Sequence, residues 1–218
     1  MKKVLYLFAA VVFLSACNQA PKTAEDAKEV KEAAAEAVVL NVDNAASTLK
    51  WEGAKITETV HHGAVTITDG MLALKDGQLD AGNFTIDMNS IVCNDLTEDE
   101  GKLKLEGHLK SGDFFMTETY PTAKFEITGV EAAPAADGTT HKISGNLTIK
   151  DVTKGISFPA TVNITDAKAE AMAKFQINRN EWGVIWGGTL TDQSIKDKLQ
   201  NNLIKDEIAF EVNLIANK

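Results

Sequence analysis

Ten residues, GISFPATVNI (155–164), constrain this chain more than any other stretch. Ile156, Phe158, Ala160, Val162 and Ile164 fall on one parity; Gly155, Ser157, Pro159, Thr161 and Asn163 fall on the other. A period of two belongs to a β-strand with one apolar and one wet face. The apolar face must be buried against a second sheet, a helix, or the inside of a barrel with room for a guest. The same alternation recurs at Leu49/Trp51, Val65/Ile67, Phe84/Ile86/Met88, Phe125/Ile127 and Ile143/Leu147/Ile149. It returns at Ala171/Ala173/Phe175/Ile177 and at Ile208/Phe210/Val212/Leu214. Eight or nine strands follow. One-sided apolarity predicts antiparallel sheet, because buried parallel strands read as continuous apolar runs.

The connections fit a meander. TDG (68–70), KDG (75–77) and ADG (136–138) carry turn chemistry, and ITDAKAEA (164–171) is a short polar link. Pro159 cannot donate to a ladder, so it predicts a bulge or an unpaired edge, a local break in one long strand. Two stretches leave the pattern. In 97–110, Thr97 and Glu100 stand at capping-box spacing ahead of Leu103, Leu105 and Leu109. In 192–204, Ile195, Leu199 and Leu203 recur at helical spacing. Both predict short helices, placed as lids or plugs at a barrel end.

The N-terminus reads as a targeting segment. Lys2 and Lys3 precede an apolar run from Val4 to Leu14, too short to span a bilayer comfortably. It ends in Leu14-Ser15-Ala16-Cys17, which resembles the lipobox of bacterial lipoproteins. That resemblance implies a signal peptide over 1–16 and a diacylglycerol on the Cys17 sulfur. Asn18 rather than Asp after the cysteine points, by analogy with lipoprotein sorting, to the outer membrane and the periplasmic side of a bacterial envelope. Residues 17–39, rich in Ala, Glu and Lys, read as the lipidated cysteine and a flexible tether, with the folded domain over 40–218.

Chemistry-bearing motifs are sparse. A formal net charge of -9 argues against a nucleic-acid partner. His61, His62, His108 and His141 form no metal-binding motif, and no GxSxG elbow occurs, so the expectation is no catalytic residue, no metal and no cofactor. With Cys17 lipidated, Cys93 has no disulfide partner and reads as a buried thiol. Arg179, the sole arginine, continues the parity of Phe175 and Ile177. Its planar fork suits either a polar ligand head near a barrel mouth or a structural ion pair closing one end with a carboxylate of the last strands.

Five segments in order, LKWEGAKITETVHHG (49–63), FTIDMNSIVCNDLT (84–97), HLKSGDFFMTETYPTAKFEIT (108–128), GNLTIKDVTKGISFPATV (145–162) and FQINRNEWGV (175–184), resemble the YceI-like family over roughly residues 40 to 216. Asp151 stands where the family more often has glycine. The resemblance implies an all-β fold with two short helices, a lipocalin-like antiparallel β-barrel of about eight strands. It also implies a long apolar ligand (a polyisoprenoid, prenyl quinone or fatty-acid derivative) and a homodimer as the common assembly. Parity then assigns Trp51, Ile67, Phe84, Ile86, Met88, Phe125, Ile127, Leu147, Phe158, Val162, Phe175, Ile177, Arg179, Phe210 and Val212 to the interior. Phe114 and Phe115 join them as a plug or portal pair, and Trp182 and Trp186 as rim residues. An eight-stranded barrel is wide enough to be filled by side chains or to hold one small ligand. Three functions remain open at this point: a lipid carrier, an enzyme acting on such a lipid, and a structural envelope protein with a filled barrel.

Overall fold

The computed structural model describes residues 24–218. The signal segment, Cys17 and the start of the tether lie outside the described residues. Ten strands run in chain order: β1 (Glu25–Asp26), β2 (Val38–Val42), β3 (Thr48–Lys55), β4 (Val60–Lys75), β5 (Gln78–Cys93), β6 (Thr122–Ala132), β7 (His141–Ile149), β8 (Val152–Ile164), β9 (Lys168–Asn178) and β10 (Ile204–Asn217). Helix α1 (Lys102–Lys110) follows β5, and α2 (Gln193–Leu199) precedes β10.

Strands β3 to β10 pair with their neighbours in sequence, and β10 pairs back onto β3, which closes an eight-stranded antiparallel barrel. Strand β2 shares the lane of β3, pairing Leu40 with Leu72 of β4 at one end of the barrel. The hairpin turns follow their residues. Asp76-Gly77 closes β4 on β5, with Lys75 opposite Gln78. Lys150 and Asp151 join β7 to β8 with both φ angles near +55° (50° and 59°), where an aspartate is tolerated in place of glycine.

Three expectations are corrected. TDG (68–70) is not a turn: β4 runs through it with a register shift between Ile67 and Asp69. Gly70 is needed there for close approach, since a Cβ would lie 2.5 Å from the Asn83 carbonyl oxygen and 2.8 Å from Phe84 Cβ. The first helix begins at Lys102, not Thr97. Glu100 does accept from the Thr97 backbone N–H at 2.9 Å, but Gly101 follows at φ 99° and breaks the helical path. The second ends at Leu199, and Ile204 already belongs to β10.

Part of the span expected to be a flexible tether lies against the barrel. From Glu25 the chain crosses the outside of the sheet as a strap. The Lys28 backbone donates to Asn146 Oδ1 at 3.0 Å, and Asn146 Nδ2 returns to the Lys28 carbonyl at 2.7 Å. The Lys31 N–H caps the Ile127 carbonyl at 3.0 Å, where the β6–β7 register slips. Lys31 also pairs with Asp80 at 2.7 Å. These bonds satisfy backbone groups that a free tether would leave to water.

Inside the barrel a belt of rings crosses the wall. Centroid separations are 5.4 Å for Phe84–Phe125, 5.6 Å for Phe125–Phe158, 4.3 Å for Phe158–Phe175 and 5.6 Å for Phe175–Phe210. Trp51 lies opposite Phe210 in register and extends the belt. Phe125 reaches Phe158 across β7 because Gly145 leaves the space: a Cβ there would sit 2.2 Å from the Phe125 ring. Below the belt the interior is solid with Leu40, Ile67, Leu72, Ile127, Val162 and Val212, all buried.

Gly145→Val should therefore displace Phe125 and cost about 1 to 3 kcal/mol, the usual penalty for overpacking a core. Lys142→Val, on the exposed side of the same strand, should stay within about 0.5 kcal/mol of wild type. Urea unfolding of the two variants checks this; equal midpoints would contradict the belt.

Candidate functional site

Above the belt the barrel is hollow. A cavity of about 430 Å³ is walled by Trp51, Val65, Phe84, Ile86, Met88, Ile91, Ala123, Phe125, Leu147, Ile149, Phe175, Ile208 and Phe210. Helix α1 roofs it with Leu105, His108 and Leu109, and Phe114, Phe115, Trp186 and Arg179 complete the end. At about 30 Å³ per water-sized group, this volume holds about fourteen methylene-sized groups. The size falls within the range of roughly 300 to 1,000 Å³ usual for small-molecule sites. Its inner wall is mostly carbon, and Lys55, His61, Glu100, Lys104, Lys205 and Glu207 also border the space. The indole N–H of Trp51 is a buried donor with no protein partner among the described residues.

The interior set read from parity divides three ways. Trp51, Phe84, Ile86, Met88, Phe114, Phe115, Phe125, Leu147, Phe175, Arg179, Trp186 and Phe210 border the cavity. Ile67, Ile127, Val162 and Val212 lie in the packed half and do not reach it. Phe158, Ile177 and Trp182 border a second, larger space at the side of the barrel. Trp182 is not an open rim residue: it is 1% exposed and its indole N–H donates to the Leu147 carbonyl at 2.9 Å. The leucines of α1 and His108 were absent from that set. Helical spacing placed the leucines on a lid, but nothing local says that the lid faces a void. His108 packs edge-on against Trp186 with centroids 4.4 Å apart.

Arg179 takes the structural role of the two its residue type allowed. Its side chain is 1% exposed, and Nη2 lies 3.8 Å from Asp206 Oδ1 of β10. Nε donates to the Lys205 carbonyl at 3.1 Å, Nη1 to the Val184 carbonyl, and Nη2 to the Ile204 carbonyl at 3.5 Å. Phe114 lies against the guanidinium, 5.7 Å from ring centroid to Cζ. Asp206 is held in turn by the Thr189 backbone N–H at 2.9 Å and by the Thr189 hydroxyl. The fork thus ties the 183–206 connection to the end of the barrel. Burial pulls the guanidinium below its ordinary pKa, against the opposing charges of Asp206 and Glu207.

The other titratable residues singled out are also structural. Burial pushes the Cys93 thiol up, and its Sγ lies 3.2 Å from Asp95 Oδ1. Asp95 resists its own burial: the His62 backbone N–H, His61 and Cys93 all bond to it and hold its carboxyl at about 2. His61 Nδ1 lies 2.8 Å from Asp95 Oδ2.

Residues 40–216 match the YceI-like domain, and the chain belongs to this family. It is 37% identical over 86 residues to a UPF0312 protein of Pseudomonas aeruginosa, 39% of each chain. It is 28% identical over 115 residues to a UPF0312 protein of Pseudomonas putida, 52% of this chain and 55% of that one. The matched stretches thus span about half or less of these curated relatives. Two solved structures share the fold. BcnA of Burkholderia cenocepacia superimposes with a TM-score of 0.61 at 22% identity, covering 81% of this chain and 99% of that one. A polyisoprenoid binding domain from Saccharophagus degradans, implicated in plant cell wall breakdown, gives 0.57 at 16% identity, covering 84% and 99%.

Arg179→Met removes the cation facing buried Asp206 and should cost about 3 to 5 kcal/mol of stability. Any ligand affinity measured on the folded fraction should stay within about twofold of wild type, since the fork is occupied by protein atoms. Thermal melts paired with ligand titration check this; weakened binding at unchanged stability would assign Arg179 to a ligand head instead.

Proposed function

We propose that this protein binds one long apolar chain in the cavity above the aromatic belt and carries it at the bacterial envelope. The observation that supports this is the division of the barrel: a packed lower half, and an upper half with a 430 Å³ space lined mostly by carbon. A filled structural barrel would have no use for the unfilled half, which costs packing contacts. Burying about fourteen methylenes at roughly 0.8 kcal/mol each offers a gross gain of about 11 kcal/mol, before the cost of ordering the chain. That is enough to draw an isoprenoid or acyl chain out of water.

The Saccharophagus degradans domain, described as binding polyisoprenoid, supports the same class of ligand here. The orphan indole N–H of Trp51 favours a ligand with an oxygen near the belt, such as a quinone, alcohol or ester. Among the described residues no group of three or more metal-ligating side chains is gathered. The cavity wall offers no nucleophile beside a base, so binding is the reading the site favours over catalysis. Cys17 would tether the domain through a diacylglycerol, placing the carrier in the periplasm against the outer membrane.

Mass spectrometry of the full chain, purified from bacterial membranes, tests both parts at once. Under native conditions the protein should carry one organic adduct per chain, and Ala123→Phe, which narrows the cavity, should reduce its occupancy. Under denaturing conditions the adduct should leave while a covalent lipid stays on Cys17 and is absent in Cys17→Ser. A bare native mass would sink the carrier; an unmodified denatured chain would sink the anchor.

A further inference from the structure

The barrel wall is not sealed all round. Strands β8 and β9 pair only from Ala160↔Ala173 to Ile164↔Ala169. Beyond Ala160, residues 152–159 of β8 have no partner on β9, although β7 stays paired along their other edge. The cause is in the sequence. The Ala160 carbonyl accepts from Thr140 N–H on the β7 side, so by alternation the nitrogen of Pro159 faces β9. It stands opposite Lys174 and has no hydrogen to give. The ladder stops at that residue.

The resulting gap has defined limits. Five residue pairs close it below. Above, Trp182 pins the chain leaving β9 to β7 through Leu147. Residues of both parities, from Gly155 to Pro159 and from Lys174 to Asn178, border one open space of about 1310 Å³. This space shares Trp51, Phe175 and Phe210 with the inner cavity. Phe158 and Phe175 are direct opposites across the gap, and their rings stack at 4.3 Å and 9°. No ladder bond joins the two strands there, so the rings can swing aside without breaking backbone pairing.

We propose that the gap between β8 and β9 is a side entrance, with Phe158 and Phe175 as its gate, through which an apolar chain enters and leaves the cavity. The proposal rests on the reading of that cavity as a lipid site. The lower end is packed core, and at the upper end a chain would pass Lys55, Glu100, Lys104, Lys205 and Glu207, charged groups that an apolar chain avoids. The entrance also explains where a chain longer than the cavity goes, because its remainder can lie in the side space. Its position suits delivery from a bilayer. β1 lies on the free edge of β8, with Glu25 opposite Gly155, so the N-terminal segment leaves the barrel in this gap. Six residues lie between Cys17 and Ala24, a reach of at most about 25 Å over the seven steps. A lipid on Cys17 would hold the entrance within that distance of the membrane.

The test bridges the gap reversibly in the full chain. Ser157→Cys and Gln176→Cys stand opposite each other on the outer face, and a short bismaleimide with a cleavable disulfide joins them. A monofunctional maleimide controls for bulk. The readout is uptake and release of a fluorescent long-chain polyene fatty acid from phosphatidylcholine vesicles. The bridge should slow uptake and release together, by about tenfold or more, and leave the affinity unchanged, because an entrance alters rates and not end states. Cleavage should restore both rates. Pro159→Val, which returns the missing N–H without cross-linking, should slow exchange in the same sense. Equal rates in bridged and cleaved protein would overturn the side entrance and direct attention to α1. A bridge that weakens affinity would make the gap part of the binding site instead. No uptake by any form, wild type included, would overturn the lipid-site reading itself.

Discussion

The ring of aromatic side chains at mid-height decides how the width of an eight-stranded barrel is used. An eight-stranded barrel can just be filled by its own side chains or can hold one small ligand. Here it does the first in one half and leaves room for the second in the other. Phe84, Phe125, Phe158, Phe175 and Phe210 make contact in succession, and glycine at 145 lets the succession cross β7. Aliphatic side chains on one side of the rings pack against each other at buried density. On the other side the wall residues face the lid, not one another, and the space between remains open. Without the belt the packed half would have no ceiling and the cavity no floor.

The two polar fixtures near the cavity serve this arrangement. Arg179 and Asp206 fasten the long 183–206 connection over the barrel end, where no strand pairing can do it. Asp95 fastens the start of β4 to the end of β5, with the backbone of His62 at 2.8 Å. Its ionised form is favoured by the fold, so its contribution is present above the ordinary carboxylate pKa of about 4. It fades only as pH falls toward about 2. Both are buried or half-buried charges whose bonds are with protein atoms, which leaves the inner cavity wall mostly to carbon.

Much of this was legible in the sequence, because strand parity is a local property. Every strand with clear alternation lies where the alternation put it, and the strand residues on the cavity wall carry the inward parity, whereas those of the lid do not come from it. Pro159 was legible as a defect but not as an opening. The residue that faces it across the gap, Lys174, follows from a register that the Thr165–Ala167 turn fixes, not the proline's own neighbours. The depth of each interior residue was not legible either. Ile67 and Ile86 face inward as direct partners across β4 and β5, yet only Ile86 borders the cavity, and nothing in either one's local sequence marks that boundary. TDG (68–70) misled because the residues of a turn are also the residues of a bulge. The strap over 25–37 was invisible because its bonds are backbone to distant side chains, Asn146 and Asp80.

The central claim is that a hollow of fixed size above the belt sets what is bound. A homologous series of saturated fatty acids measures that size directly, by isothermal titration against the delipidated full chain. Affinity should rise by about 0.8 kcal/mol per added methylene until the chain reaches about fourteen carbons, when the roughly 30 Å³ sites of the hollow are filled, and much less steeply beyond, where the remainder lies in the open side space. Affinity that does not depend on chain length, or no measurable binding across the series, would contradict the account.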